Sequence, residues 1–264
     1  MHTVLNAIAT SKSLRYSMVM KGGVLLAIKY QSTRFTKDID FSTAVKLKDF
    51  DRDAFLEELG DRLTEASDRL DYGLECQIQS HKIEPAKENP TFPTFKIKIG
   101  YAYKHDSASY RRLRNGNAST VVKVDYSLNE QTWDVDSLSL SDDGELQVYN
   151  VYEIVAEKFR AILQQTTRNR HRRQDAYDLY CLFEKITFSD QEKIHILEIL
   201  MAKSASRGLE ISPESISDSE IIRRSESEYA SLQPEIEGDL PNFEEAYSVI
   251  QSFYESLPWA QKRL

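Results

Sequence analysis

The sequence predicts an α/β (α+β) protein, with a mixed sheet and flanking helices in the first half and an all-helical C-terminal region. Three observations carry this. Between Ser17 and Tyr30 an apolar SMVM run, a Gly22–Gly23 pair and an apolar run follow one another in the order strand, turn, helix. From Gly73 to Leu128 three β-branched and aromatic stretches are separated by turn-forming residues. Beyond Asn150 the apolar spacing becomes helical almost throughout.

In chain order, a helix is expected over Thr3–Leu14, a short strand over Ser17–Met20 and a helix over Val24–Tyr30. Asp38-Ile39-Asp40-Phe41 alternates charged and apolar residues, as a half-buried strand does. Arg52–Arg69 carries Phe55, Leu59, Leu63 and Ala66 on one helical stripe. Strands are expected over Gly73–Ile83, Phe92–Tyr103 and Ser119–Leu128. Helices follow over Val151–Gln165, Gln174–Glu184, Asp190–Ser204, Asp218–Leu232 and Asn242–Leu257. A junction near Asp142–Asn150, with its Asp-Asp-Gly turn, divides the chain into domains 1–148 and 149–264.

Composition fits a folded chain with a sizeable core: 264 residues, 41% hydrophobic and 29% charged. No apolar run is long enough to span a membrane and no signal peptide is visible, so the expected location is the cytoplasm with no membrane partner. Cys76 and Cys181 have no metal-ligand spacing and are expected as reduced thiols. The net charge of −8 argues against a polyanion partner until its distribution is considered. Ala205–Leu264 holds twelve Asp and Glu against five Lys and Arg, a balance of −7, which leaves about −1 for the rest. Two basic segments remain, Lys96–Lys123 (with Arg111, Arg112 and Arg114) and Arg168–Arg173 (with Arg170, Arg172 and Arg173). Each is either a polyanion-facing surface or an ordinary solvated one.

On a strand, Asp38 and Asp40 share one face while Ile39 and Phe41 share the other. Their Cα atoms then lie roughly 7 Å apart, a separation from which both carboxylates can converge on hard divalent cations. A two-metal phosphoryl-transfer site needs a third acidic ligand. Asp125, at the polar phase of Val-Val-Lys-Val-Asp, supplies one, or else is a surface residue paired with Lys123. A Gly-Gly turn opening a helix brings backbone N–H groups close to phosphate.

The order Lys21-Gly22-Gly23, Arg34-Phe35-Thr36, Asp38-Ile39-Asp40 resembles the nucleotidyltransferase superfamily, and more narrowly the AbiEii/AbiGii toxin family and the related mycobacterial MenT toxins. VYEIVAEKFRAIL and RRQDAYDLYCLF are similar to that family's helical motifs. The resemblance implies a nucleotidyltransferase fold and a toxin of a toxin–antitoxin or phage-defence system. It implies transfer of NMP from an NTP, with two Mg²⁺ ions, to an acceptor hydroxyl, in the MenT relatives the 3′ end of tRNA. It implies Asp38 and Asp40 as metal ligands, with Asp125 as the third, and Lys21, Gly22, Gly23, Arg34, Thr36 and Arg160 at the nucleotide. Lys158 would neutralise phosphate charge and Asp175 would complete the site, although a solvated Lys158 and a helix-stabilising Arg172–Asp175 pair are equally ordinary. The basic residues would hold RNA, and a cognate antitoxin would be encoded nearby. Transfer to a protein hydroxyl and a non-catalytic nucleotide- or RNA-binding module are the alternatives. The acidic helices beyond Ala205 are left open between contacting an antitoxin, mimicking nucleic acid and capping the domain.

Overall fold

The computed structural model describes residues 1–88, 90–141 and 144–262. The chain divides into two compact units, Met1–Leu25 with Thr36–Tyr149, and Leu26–Phe35 with Asn150–Leu264. The expected turn at Asp142–Asp143 lies outside the described residues.

The first unit runs α1 (His2–Thr10), α2 (Lys12–Ser17), β1 (Val19–Lys21), the start of α3 (Gly22–Tyr30), β2 (Asp38–Ser42), α4 (Arg52–Arg69), β3 (Leu74–Glu84), β4 (Thr94–Tyr103), α5 (Ser107–Arg114), β5 (Val121–Ser127), β6 (Val135–Ser141) and β7 (Gly144–Tyr149). Its seven strands form one mixed sheet in the order β3-β4-β5-β2-β1-β7-β6. β2 is antiparallel to β1 and parallel to β5, while β1 is parallel to β7. Period-two alternation decides which face is covered. Ile39, Phe41, Phe95, Ile97, Ile99, Val124 and Tyr126 are buried together with Phe55, Leu59 and Leu63 of α4. Phe55 stacks on Tyr126, and Phe50 packs edge-on against both Phe95 and Tyr126.

The single helix expected near the N-terminus is two helices. Ser11 sits in an extended conformation between them, and its Oγ accepts from Leu14 N–H, so the hydroxyl ends α1 and caps α2. The β6–β7 hairpin and α5 were not anticipated. α5 starts at an Asp106 N-cap and buries one apolar residue, Leu113, so it lacks the stripe that sequence periodicity reads.

The second unit contains the end of α3 with residues 31–35, then α6 (Val151–Leu163), α7 (Gln165–Arg168), α8 (Arg173–Phe183), α9 (Asp190–Ser206), α10 (Ser219–Glu226) and α11 (Phe243–Glu255). α6 packs against α8 and α9, and α8 against α11. Phe183 and Phe253 stack at 4.1 Å, with Phe159 stacked on both and Phe188 edge-on to both. Caps fix the boundaries: Asn150 accepts from Glu153 N–H, and Ser189 with Glu192 forms a reciprocal capping box. The helix expected over Asp218–Leu232 stops at Glu226. Glu228 takes a left-handed conformation (φ 61°), and a 3₁₀ segment over Tyr229–Glu235 contains Pro234.

Residues 31–35 join the second unit through backbone bonds. Phe35 N–H donates to Glu235 C=O and Glu237 N–H to Thr33 C=O, around an antiparallel Arg34–Ile236 bridge. Lys185 Nζ donates to the carbonyls of Tyr30 and Gln31. Among the described residues no helix is long and apolar enough to cross a membrane. Both cysteines are free, and burial pushes both thiols up.

Candidate active site

In the first unit the pleat of β2 buries Ile39 and Phe41 and turns Asp38 and Asp40 to the opposite, polar face. Neighbouring strands extend that face in register. Asp40 lies between Lys21 of β1 and Asp125 of β5, and Asp38 lies beside Lys123. Gly22 adopts φ 77°, a conformation that favours glycine. A Cβ built there would come within 2.9 Å of Asp40 Cγ and closer still to its Oδ2, so the absent side chain is what lets backbone and carboxylate meet. Gly22 and Gly23 open α3, whose first N–H groups have no helical acceptor. Thr36 Oγ1 donates to Asp38 C=O at 3.4 Å.

The carboxylates are held by cations at loose distances. Lys123 Nζ is 3.5 Å from Asp38 Oδ1 and Lys96 Nζ is 3.6 Å from Asp125 Oδ2. Lys21 pairs instead with Glu130 at 2.9 Å. Burial pushes the Asp125 carboxyl up and the charge of Asp38 adds to this, against the opposing pull of Lys96. Among the described residues no three acidic, His or Cys side chains form a ready-made ion cage. The donor set still suits a hard divalent cation. Asp38 and Asp40 present carboxylate oxygens on one face, and Asp38 Oδ1 is buried without a hydrogen-bond donor, an arrangement that a cation would complete.

In the second unit Arg34, Asp178, Lys158 and Asp175 form a continuous ion-pair chain. Arg34 grips Asp178 through Nε and Nη2, both at 2.9 Å. Lys158 Nζ donates to Asp178 at 2.7 Å and to Asp175 at 2.9 Å, and Arg172 approaches Asp175 at 3.6 Å. Lys158 is therefore buried, not solvated, because two carboxylates from α8 meet it. Burial alone would raise the Asp178 carboxyl, but Lys158 and Arg34 pull it below the usual range. Burial alone would lower the Lys158 ammonium, but Asp178 and Asp175 raise it. Arg160, also buried, donates to Gln164 at 2.7 Å and to Glu157, and Lys203 joins the same network through Glu153 at 2.6 Å.

A family model described as nucleotidyl transferase AbiEii toxin, Type IV TA system, matches residues 3–249. The chain belongs to the AbiEii family. Its architecture agrees. A Helicobacter pylori structure described as a candidate nucleotidyltransferase is similar at 14% identity, covering 97% of this chain and 92% of its own, with a TM-score of 0.50. JHP933 from Helicobacter pylori is similar at 14% identity, covering 96% of this chain and 88% of its own, with a TM-score of 0.51. At this identity the two show the fold alone. No curated protein matches the sequence significantly. AbiEii membership supports nucleotidyltransferase activity on an NTP, and the Type IV toxin–antitoxin description suggests an antitoxin partner.

Two residues of this AbiEii chain escaped sequence reasoning as site members. Asp178 had a signal, since it follows Asp175 by three residues in the same helical motif. Glu130, in the loop after β5, had none. It is 7% exposed and bound to Lys21, which the sequence alone does not connect to it. The expected RNA-facing residues divide by their partners. Arg111 and Arg112 are exposed on α5, whereas Arg114 approaches Glu75 at 3.2 Å. Arg170 is exposed, Arg172 leans on Asp175, and Arg173 is engaged by Glu228 at 2.6 Å and Glu235 at 3.5 Å.

Proposed function

We propose that the protein transfers a nucleoside monophosphate from an NTP to an acceptor hydroxyl, with two Mg²⁺ ions, and that the acceptor is the 3′ end of a tRNA. The observation that carries this is the pair Asp38 and Asp40, set by the β2 pleat on one face beside the Gly22 turn, with an Asp38 oxygen buried and lacking a donor. Asp38 and Asp40, with Asp125 beside them, are the groups that would hold the ions. When bound, Mg²⁺ supplies charge neutralisation at the triphosphate and favours ionisation of the acceptor hydroxyl.

The chain's own residues do the rest. N–H groups at Gly22 and Gly23 hold phosphate oxygens at the start of α3. Asp125, whose carboxyl is shifted upward by burial, is placed to accept the acceptor's proton. The acceptor oxygen bonds to the α-phosphorus as the bond to the β-phosphate bridging oxygen breaks, and pyrophosphate leaves with that electron pair. Lys158 and Asp175 are the helical unit's proposed contribution. Asp178 positions them, because it binds Lys158 and Arg34 together. A cognate antitoxin encoded nearby is the proposed partner.

The test is incubation of the protein with Mg²⁺, each labelled NTP and total RNA, with an Asp40→Ala control. Label on RNA that disappears in the control supports the proposal. Label on protein would move the acceptor to a protein hydroxyl, and no label on either would leave a binding module.

A further inference from the structure

The polar face of the sheet carries a second arrangement, which the carboxylate site does not use. Residues that pair across neighbouring strands share a face, so Lys98 of β4 stands directly opposite Lys123 of β5, and Lys82 of β3 opposite Lys96. Like charges opposed across antiparallel strands destabilise a sheet unless carboxylates relieve them. Lys82 and Lys96 are relieved, since both bind Glu84. Lys98 is not: among the described residues no carboxylate lies within ion-pair distance of it. The counter-charge of Lys123 is Asp38 at 3.5 Å, one of the proposed cation ligands. Whenever a cation takes the Asp38 carboxylate, Lys98 and Lys123 become an unbalanced pair, with Cβ atoms about 5 Å apart.

This pair has room for a ligand. Lys123 is 52% exposed and Lys98 is exposed. The face is closed farther along, where Gln79 accepts from Ala118 N–H and donates to Leu113 C=O, and where Gly100 makes space for Ala118. The strand order also separates this pair from the nucleotide. In β4-β5-β2-β1, Lys98 lies three strands from Lys21 and the Gly22 turn, about 14 Å at ~4.8 Å per strand, with the carboxylates between them. A triphosphate seated at Gly22 leaves Lys98 for the other reactant.

Resting on the reading that RNA is the acceptor, we infer that Lys98 and Lys123 form a seat for a backbone phosphodiester of the acceptor strand. The other basic side chains of the same segment are less suited. Lys96 is spent on Glu84, Lys104 on Asp68 and Arg114 on Glu75.

The test compares wild type, Lys98→Gln, Lys123→Gln, the double variant and a Lys104→Gln comparator, as full-length proteins with Mg²⁺. Equilibrium binding of an RNA with a single-stranded 3′ end is measured from about 50 to 200 mM salt, alongside binding of NTP and of inorganic tripolyphosphate. The double variant is expected to reduce the log–log salt slope by roughly 1.4 to 1.8, at about 0.7 to 0.9 per lost phosphate contact. The wild-type advantage then shrinks about 7- to 12-fold across that salt range. NTP and tripolyphosphate binding should be unchanged, as should the Lys104→Gln slope. An unaltered slope in the double variant, absence of RNA binding by the wild type, or a loss that appears with tripolyphosphate instead of RNA would each overturn the seat. The label-transfer assay judges the RNA-acceptor reading separately, so either can fall alone.

Discussion

Replacing Asp178 by alanine should cost the helical unit about 3–5 kcal/mol, the range for breaking a buried ion pair by removing one partner. The Asp178 side chain is wholly buried and accepts from Arg34 Nε and Nη2 and from Lys158 Nζ. Its removal strands the Arg34 guanidinium, 10% exposed, with Glu235 at 3.9 Å as its remaining counter-charge in the ion-pair chain. Lys158 keeps Asp175 at 2.9 Å, which favours the lower half of the range. Because the chain has two compact units, one thermal midpoint would blur the result. Urea unfolding followed through Trp259, whose indole donates to Tyr254 C=O in the same unit, is the better assay, in a Trp133→Phe background. Adding Arg34→Met should recover part of the loss, since a buried cation without an anion is worse than an apolar side chain. The pH dependence has a definite sign. The Asp178 carboxyl is depressed in the folded state, so its contribution is complete above the unfolded carboxylate value near ~4 and fades as pH falls through the lower folded value. Asp178→Ala should therefore flatten the acid limb of the stability profile. A loss under about 1 kcal/mol with the acid limb intact would refute the reasoning.

Asp38→Asn and Asp40→Ala should abolish label transfer while leaving urea midpoints close to wild type, and Mg²⁺ should raise the thermal midpoint of the first unit less in either variant than in wild type. Gly22→Ala should reduce transfer severely, because it combines a positive φ with a Cβ crowding the Asp40 carboxylate; unchanged rates would remove the cradle from the mechanism. Asp125→Asn should stabilise the Mg²⁺-free protein at neutral pH by up to about 1 kcal/mol. The sign follows from its raised carboxyl, whose contribution is present below the unfolded value and lost as pH rises through the folded one. A fall in the midpoint would contradict that assignment.

What sequence reasoning could reach followed the range of the interactions involved. Arg52–Arg69 was legible to the residue because its stripe, Phe55, Leu59, Leu63 and Ala66, and its Asp51 cap are local. The shared face of Asp38 and Asp40 was legible because the strand period is two. Burial of Lys158 was not. Its position beside Glu157 on an amphipathic helix reads as solvated, and the carboxylate that removes it from water is itself held by Arg34, 144 residues earlier in the chain. Residues 31–35 pair with Glu235 and Glu237, a connection no local pattern encodes, and so they fold with the C-terminal helices. β6 and β7 lie beside a domain junction drawn from turn chemistry, and that turn signal drew attention away from the alternation of Leu138 and Leu140 with serine.

The acidic C-terminal region takes on a specific meaning in the helical unit. Its carboxylates are largely engaged internally: Glu220 holds Arg223 and Arg224, and Glu228 and Glu235 hold Arg173. The loop of the second basic segment is fixed from the same side. Buried Gln165 accepts from Arg172 N–H and donates to Ser225, and Arg224 donates to Asn169. The charges that make the whole chain acidic thus balance part of the segment that had looked most basic. Net charge is then a poor guide to whether this protein meets a polyanion. The deciding quantity is which cations lack an internal carboxylate, and on the polar face of the sheet that places the weight on Lys98 and Lys123.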